Sequence, residues 1–235
     1  MKFKIIYAVL LVLFILSGMY LIYDNQNTKK INEILKEEKN IKIETEDINS
    51  TIVSIQKEYA NEDIIALLKI ENLFTIPIVI SSDNEFYLSH DLHKNKNILG
   101  ATFMDYRNKD KDKQINIYGH NATKYDVAFK NLESYLNYDF FEDNRYISLY
   151  KNNEEIKYEI FSVALLTKSS KEIHLQMDYD TDDEWIKHFN DLKDVSLFET
   201  EINLKASDQI LVLQTCVMDN SKDELIVVVA KKIIN

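Results

Sequence analysis

The chain's one cysteine, Cys216, closes the apolar run Leu213-Gln214-Thr215-Cys216, and His120 closes another in Tyr118-Gly119-His120-Asn121. A thiol is a poor nucleophile until it ionises. Its free pKa is about 8.5, so little is thiolate at neutral pH. A neighbouring imidazolium lowers that value and can later protonate a leaving amine. One thiol and one strand-end histidine, distant in sequence, are therefore the minimum set for a covalent acyl transfer. The commoner role of a lone cysteine is that of a small buried hydrophobe. Spacing alone does not decide between the two. The catalytic role needs both runs to be strands that end at the same rim of a barrel.

The segments around these residues have that texture. Short apolar runs split by polar turns occur at 76–80, 86–88, 101–106, 115–118, 146–150, 158–166, 210–213 and 225–234. About eight candidate strands at this density predict a mainly β barrel or sandwich. Pro77, the only proline, suits an edge or the start of a strand. Apolar spacing predicts a helix over 52–59, another over 127–136, and a third over 180–194 that precedes the cysteine run. The third opens on Thr181-Asp182-Asp183-Glu184, a capping-box-like start, and carries Trp185, Ile186, Phe189 and Leu192 on one face.

Composition narrows the function classes. The 235 residues carry a net charge of -11, which disfavours nucleic acid as a partner because phosphate binding wants a basic footprint. Hydrophobic residues make up 46%, so the chain is not disordered by composition. Fourteen tyrosines and eleven phenylalanines suit strands. A single cysteine makes no intrachain disulfide.

Residues 5–23 are nearly continuously apolar, interrupted by Ser17 and Gly18. About 19 helical residues suffice to cross a hydrocarbon core of about 30 Å. With Lys2 and Lys4 before it, the positive-inside rule expects a single-pass anchor with a cytoplasmic N-terminus, lipid contact through 5–23 and an extracellular remainder. A cleaved signal peptide is the competing reading, although Ser17-Gly18-Met19 is a poor cleavage site. The expected organisation is a tip and anchor over 1–24, a polar linker or helix over 25–50, and one domain over 51–235.

The two motifs together resemble those of the sortases, the membrane-anchored cysteine transpeptidases of Gram-positive bacteria. The resemblance covers nearly all of the chain. The stretch Asp83-Asn84-Glu85-Phe86-Tyr87-Leu88, the stretch Phe103-Met104-Asp105-Tyr106-Arg107-Asn108 and the helix-bearing insertion before the cysteine run are most similar to class B. It implies an eight-stranded β-barrel, with N-terminal helices and a site at one rim. It implies that Cys216 attacks an Asn-Pro-x-Thr type sorting signal on a surface protein. A thioester forms, and a peptidoglycan precursor or other amine resolves it, with His120 as acid and base. No cofactor and no metal are implied.

One departure stands out. Sortases carry an arginine about ten residues after the cysteine. Here that segment, from Ser221 to Lys231, has none, and the only arginines are Arg107 and Arg145. Losing one preorganised oxyanion donor costs roughly 2.7–4 kcal/mol. Lys222, Lys231 or Arg107 are the candidate substitutes, although lysine lacks the guanidinium fork. The alternatives are a weak or inactive sortase-fold binding module, or a thiol hydrolase in which water resolves the thioester.

Tyr118, Asn121, Thr215 and Asp219 are expected to wall or orient the site. His90 and His93 are expected on a solvated turn, His188 on an exposed helix face, and Trp185 in the core. His174 has no partner pattern. The acidic residues of 178–184 are expected as a helix N-terminal cluster rather than a calcium loop.

Overall fold

A computed structural model describes residues 2–44, 47–109, 112–167, 176–218 and 224–234, without the side chains of residues 2–5, 8 and 9. The helices are α1 (Lys2–Glu38), α2 (Ile48–Tyr59), α3 (Tyr138–Asp143) and α4 (Asp182–Asp194). The strands are β1 (Ile64–Ile70), β2 (Phe74–Val79), β3 (Phe103–Met104), β4 (Gln114–Tyr118), β5 (Tyr146–Lys151), β6 (Glu154–Thr167), β7 (Ile210–Cys216) and β8 (Glu224–Lys232). They close into a barrel in the order β1-β2-β3-β4-β7-β8-β6-β5. The expected eight-stranded fold, with N-terminal helices and a helix before the cysteine strand, is therefore present.

Alternation along the strands sorts the core into layers. Ile226, Val228 and Ala230 of β8 and Leu211 and Leu213 of β7 fill the barrel. Leu225, Val227 and Val229 of β8 and Ile210 and Val212 of β7 face outward, under Trp185, Phe189 and Leu192 of α4. Because α4 covers the outside, β8 is apolar at successive positions rather than every second one. On the opposite side, Ile48, Ile52 and Ile55 of α2 pack over Ile64, Leu67 and Val79.

Local chemistry sets the element ends. Thr181 caps α4 by accepting from the Glu184 amide at 3.2 Å, and three acidic residues sit in its first turn, where the helix dipole favours them. Asp47 caps α2 in the same way, accepting from the Ser50 amide at 2.9 Å. Ala60 then stops α2 with a left-handed φ of 50°. The chain restarts as β1, which the mixed apolar spacing of this region did not predict.

Residues 86–88 form a 3-10 turn, not a strand. Asp83 accepts from the amides of Glu85 and Phe86, both at 2.8 Å, and winds the backbone locally. These two bonds also hold its carboxyl below the usual value. His188 is buried rather than exposed, edge-on to Tyr179 and Phe189.

The expected membrane span requires correction. Among the described residues, no helix is long and apolar enough to cross a membrane. The apolar run 5–23, interrupted by Ser17 and Gly18, makes up the first half of α1. It passes without a break into Asp24, Asn25, Gln26 and Asn27 within the same helix. Asp24 is bonded at 2.6 Å to Lys124 of the barrel, so the polar half of α1 docks on the domain. The single-pass topology, the lipid contact through 5–23 and the extracellular placement lose their structural basis.

Candidate active site

β4 and β7 are parallel neighbours, paired from Gln114↔Ile210 to Tyr118↔Gln214. The same register, carried two residues past β4, sets His120 opposite Cys216. Three hydrogen bonds continue the lacing beyond the ladder. The Gly119 amide donates to the Gln214 carbonyl at 3.3 Å, and Thr215 Oγ1 donates to the Gly119 carbonyl at 2.7 Å. Asn121 Nδ2 donates to the Cys216 carbonyl at 2.8 Å.

Side-chain parity puts the pair on one face. Ile115 and Ile117 point into the barrel, whereas Tyr118 joins the outer cluster. A Cβ on Gly119 would lie 2.7 Å from Cγ of the buried Phe129, so this residue faces inward and has no room for a side chain. His120 then turns outward, as Cys216 does, and Cys216 packs at the edge of the α4 layer. Both are partly exposed, and the thiol is free.

The imidazole is held from the far side. His120 Nε2 lies 2.8 Å from the Leu88 carbonyl. A carbonyl only accepts, so the Nε2 proton is fixed and Nδ1 is left as the exchangeable site. Gly100 makes this possible. Its φ is +59°, and a Cβ there would meet the Tyr87 carbonyl at 2.4 Å and His120 Cδ2 at 3.0 Å.

Asn121 and Thr215 thus bond across the two strand ends, and Tyr118 lies two residues before His120. The Tyr118 hydroxyl donates to Asp105 at 2.9 Å, and burial pushes its own pKa up. Burial also pushes the Asp105 carboxyl up. Hydrogen bonds from the Arg107 side chain and amide, Asn84 and Tyr118 outweigh that effect and hold it below the ordinary value.

The cationic candidates lie elsewhere. Arg107 grips Asp105 through Nε at 2.9 Å and Nη2 at 2.8 Å and lines a cleft with Gln114, at the opposite end of β4 from His120. Lys231 pairs with Ile210 in the ladder, at the opposite end of β7 from Cys216, and bonds Asp208 at 3.0 Å. Lys222, Asp219 and His174 lie outside the described residues. Across the ladder from Cys216 stands Leu225.

Several contributors carry no motif. α1 and the residue after it strap the loop after His120: Lys39 pairs with Asp126 at 2.5 Å, and Asn32 accepts from the Asp126 amide at 3.0 Å. Leu35, Glu38, Lys39, Gly100 and His120 line one cavity of about 50 Å³. Burial, with the Asp91 charge adding to it, raises the Glu38 carboxyl to about 7. Among the described residues, no cluster of His, Cys, Asp and Glu could hold a metal, and His90 instead stacks on Phe86 at 4.1 Å.

The Sortase domain family model matches residues 68–233. Sortase B of Staphylococcus aureus is 28% identical over 183 residues, covering 75% of this chain and 72% of that protein. Sortase B of Listeria monocytogenes is 28% identical over 228 residues, covering 94% and 91%. The X-ray structure of Clostridium perfringens sortase B superposes with a TM-score of 0.71 at 32% identity, covering 77% of this chain and 99% of that one.

Proposed function

The chain belongs to the sortase family, with sortase B transpeptidases as its relatives, and on that footing we propose that Cys216 and His120 carry its chemistry on an Asn-Pro-x-Thr type sorting signal. The supporting observation is the parallel β4–β7 register, which sets His120 opposite Cys216 on the outer face of one rim. His120 Nδ1 takes the thiol proton, and the thiolate attacks the threonine carbonyl carbon of the signal. The tetrahedral intermediate collapses to a thioester as Nδ1–H protonates the departing amine. In the second half-reaction the imidazole removes a proton from an incoming amine, which attacks the thioester and releases Cys216. The substrate is then a surface protein with a C-terminal signal. The acceptor is a peptidoglycan-type amine. The domain over 51–235 carries Cys216 and His120.

A second reading has its own observation. Leu225 fills the described position across from Cys216 with an apolar side chain, so no guanidinium serves the oxyanion from there. A weak or inactive binding module follows if no other donor replaces it. Incubation with an Asn-Pro-x-Thr peptide, with and without oligoglycine or a diaminopimelate-type amine, separates the outcomes. A thioester plus an amide product supports transpeptidation. Absence of any acyl-enzyme supports the binding module, and cleavage indifferent to amine supports hydrolysis.

A further inference from the structure

The 3-10 segment Ala128–Leu136 plugs the barrel beneath Gly119 with Phe129, Leu132 and Tyr135, all essentially buried. Its polar side carries Glu133. Oε1 of Glu133 accepts from Asn121 Nδ2 at 2.5 Å and from the Met218 amide at 3.3 Å. The same Asn121 nitrogen donates to the Cys216 carbonyl. One carboxylate oxygen therefore reaches the residue after His120 and the residue two past Cys216.

We propose that Glu133 is a positioning residue that clamps the His120 and Cys216 strand ends together by accepting from Asn121 and the Met218 amide. The inference rests on the catalytic reading of that pair. Three features argue for a role beyond packing. Among the described residues no cation pairs with Glu133, so its oxygen is satisfied by these amide donors. The segment that carries it is already anchored by its three apolar residues and by the Tyr135 hydroxyl, which donates to the Asn144 carbonyl at 2.9 Å. Asn121 is 9% exposed, and its Oδ1 is buried with no partner among the described residues, so Nδ2 alone fixes its orientation. Without Glu133, Asn121 keeps one bond where it had two, and the Met218 amide loses its acceptor.

The test compares Glu133→Ala, Glu133→Gln and Glu133→Asp in the full chain. Glutamine retains an acceptor oxygen at the same reach, whereas aspartate retains the charge but falls short by one methylene. Displacement of a reacting group by about 1 Å costs on the order of a hundredfold. The expected result is a kcat for acyl-enzyme formation lower by about ten- to a hundredfold in Glu133→Ala, with KM within about twofold. Glu133→Gln restores kcat to within about threefold of the parent, and thermal midpoints stay close throughout. The rate of Cys216 alkylation by iodoacetamide, which needs no peptide, shifts in Glu133→Ala and returns in Glu133→Gln. Parental kcat and alkylation rate in Glu133→Ala would overturn the proposal, as would a Glu133→Gln as impaired as Glu133→Ala. If Glu133→Ala does not fold, Glu133→Asp decides: lost kcat in a folded protein supports the clamp, and parental kcat overturns it. If the parent makes no acyl-enzyme with the peptide, the catalytic reading fails, and the alkylation series still decides the clamp.

Discussion

Leu225 stands directly across the β7–β8 ladder from Cys216, on the same outward face, and is 5% exposed. Its neighbour Ile226 points into the barrel and is fully buried. A cation introduced at the first position is aimed at the thiol, whereas one at the second is driven into hydrocarbon.

Leu225→Arg is therefore expected to raise the acylation rate by on the order of tenfold or more, by supplying an oxyanion donor. Ile226→Arg is expected to unfold the domain, because an unpaired buried charge costs several kcal/mol. Single-turnover assays and thermal melts on both variants check this pair. An unchanged rate in a folded Leu225→Arg would mean that another group already serves the oxyanion.

Cys216→Ala is expected to abolish the acyl-enzyme. His120→Ala is expected to lower its formation by about a hundredfold or more, the usual loss of a general acid–base. Mass spectrometry of protein mixed with an Asn-Pro-x-Thr peptide reads both. Parental turnover in either variant would refute the assignment.

Gly100→Ala is expected to lower kcat by ten- to a hundredfold, on the order of what a small displacement of an acid–base group costs. The added methyl meets the Tyr87 carbonyl and the His120 ring, and the left-handed φ adds roughly 1–2 kcal/mol of strain. Kinetics alongside urea unfolding separate the two effects. A stability loss with parental kcat would show that the imidazole does not depend on this contact.

Glu38 carries a pH signature. Its carboxyl titrates at about 7 in the folded chain against 4.5 ordinarily. A raised folded pKa contributes stability that is fully present below about 4.5 and is lost as pH rises through about 7. The magnitude is up to about 3 kcal/mol. Glu38→Gln is expected to remove this contribution, so the variant gains on the parent between pH 5 and pH 8. Urea unfolding at the two pH values checks it, and an unchanged difference between variant and parent would refute it.

Much of this architecture was legible from residue types. Short apolar runs marked β2 to β8. The strand number came out as expected although 86–88 was misread and β1 was missed. Both errors are local. An aspartate side chain wound Phe86–Leu88 into a turn, and a left-handed Ala60 separated α2 from β1 where apolar spacing runs through. His120 and Cys216 were visible as strand-end residues, but their common face depends on a parallel register that no short-range pattern encodes. Gly100 could have been suspected, since the chain has only three glycines. Glu133 lies four residues after Phe129, on the polar side of an amphipathic turn, where an acidic residue is ordinarily mere solvent contact. The apolar N-terminal run read as a membrane span, but among the described residues no helix is long and apolar enough to cross a membrane, and the polar half of α1 docks on Lys124.

β7 is zipped on one side to β4, with α3, β5, β6 and α4 intervening in the chain, and on the other to β8, the last strand. The β4–β7 pairing, distant in sequence, forms late in folding, because a long loop must close before it gains anything. During synthesis the sulfur therefore emerges as an ordinary side chain. It meets the end of β4, which leads into His120, only when β7 itself has left the ribosome. A stalled or clipped copy lacking β8 would leave β7 paired on one side alone.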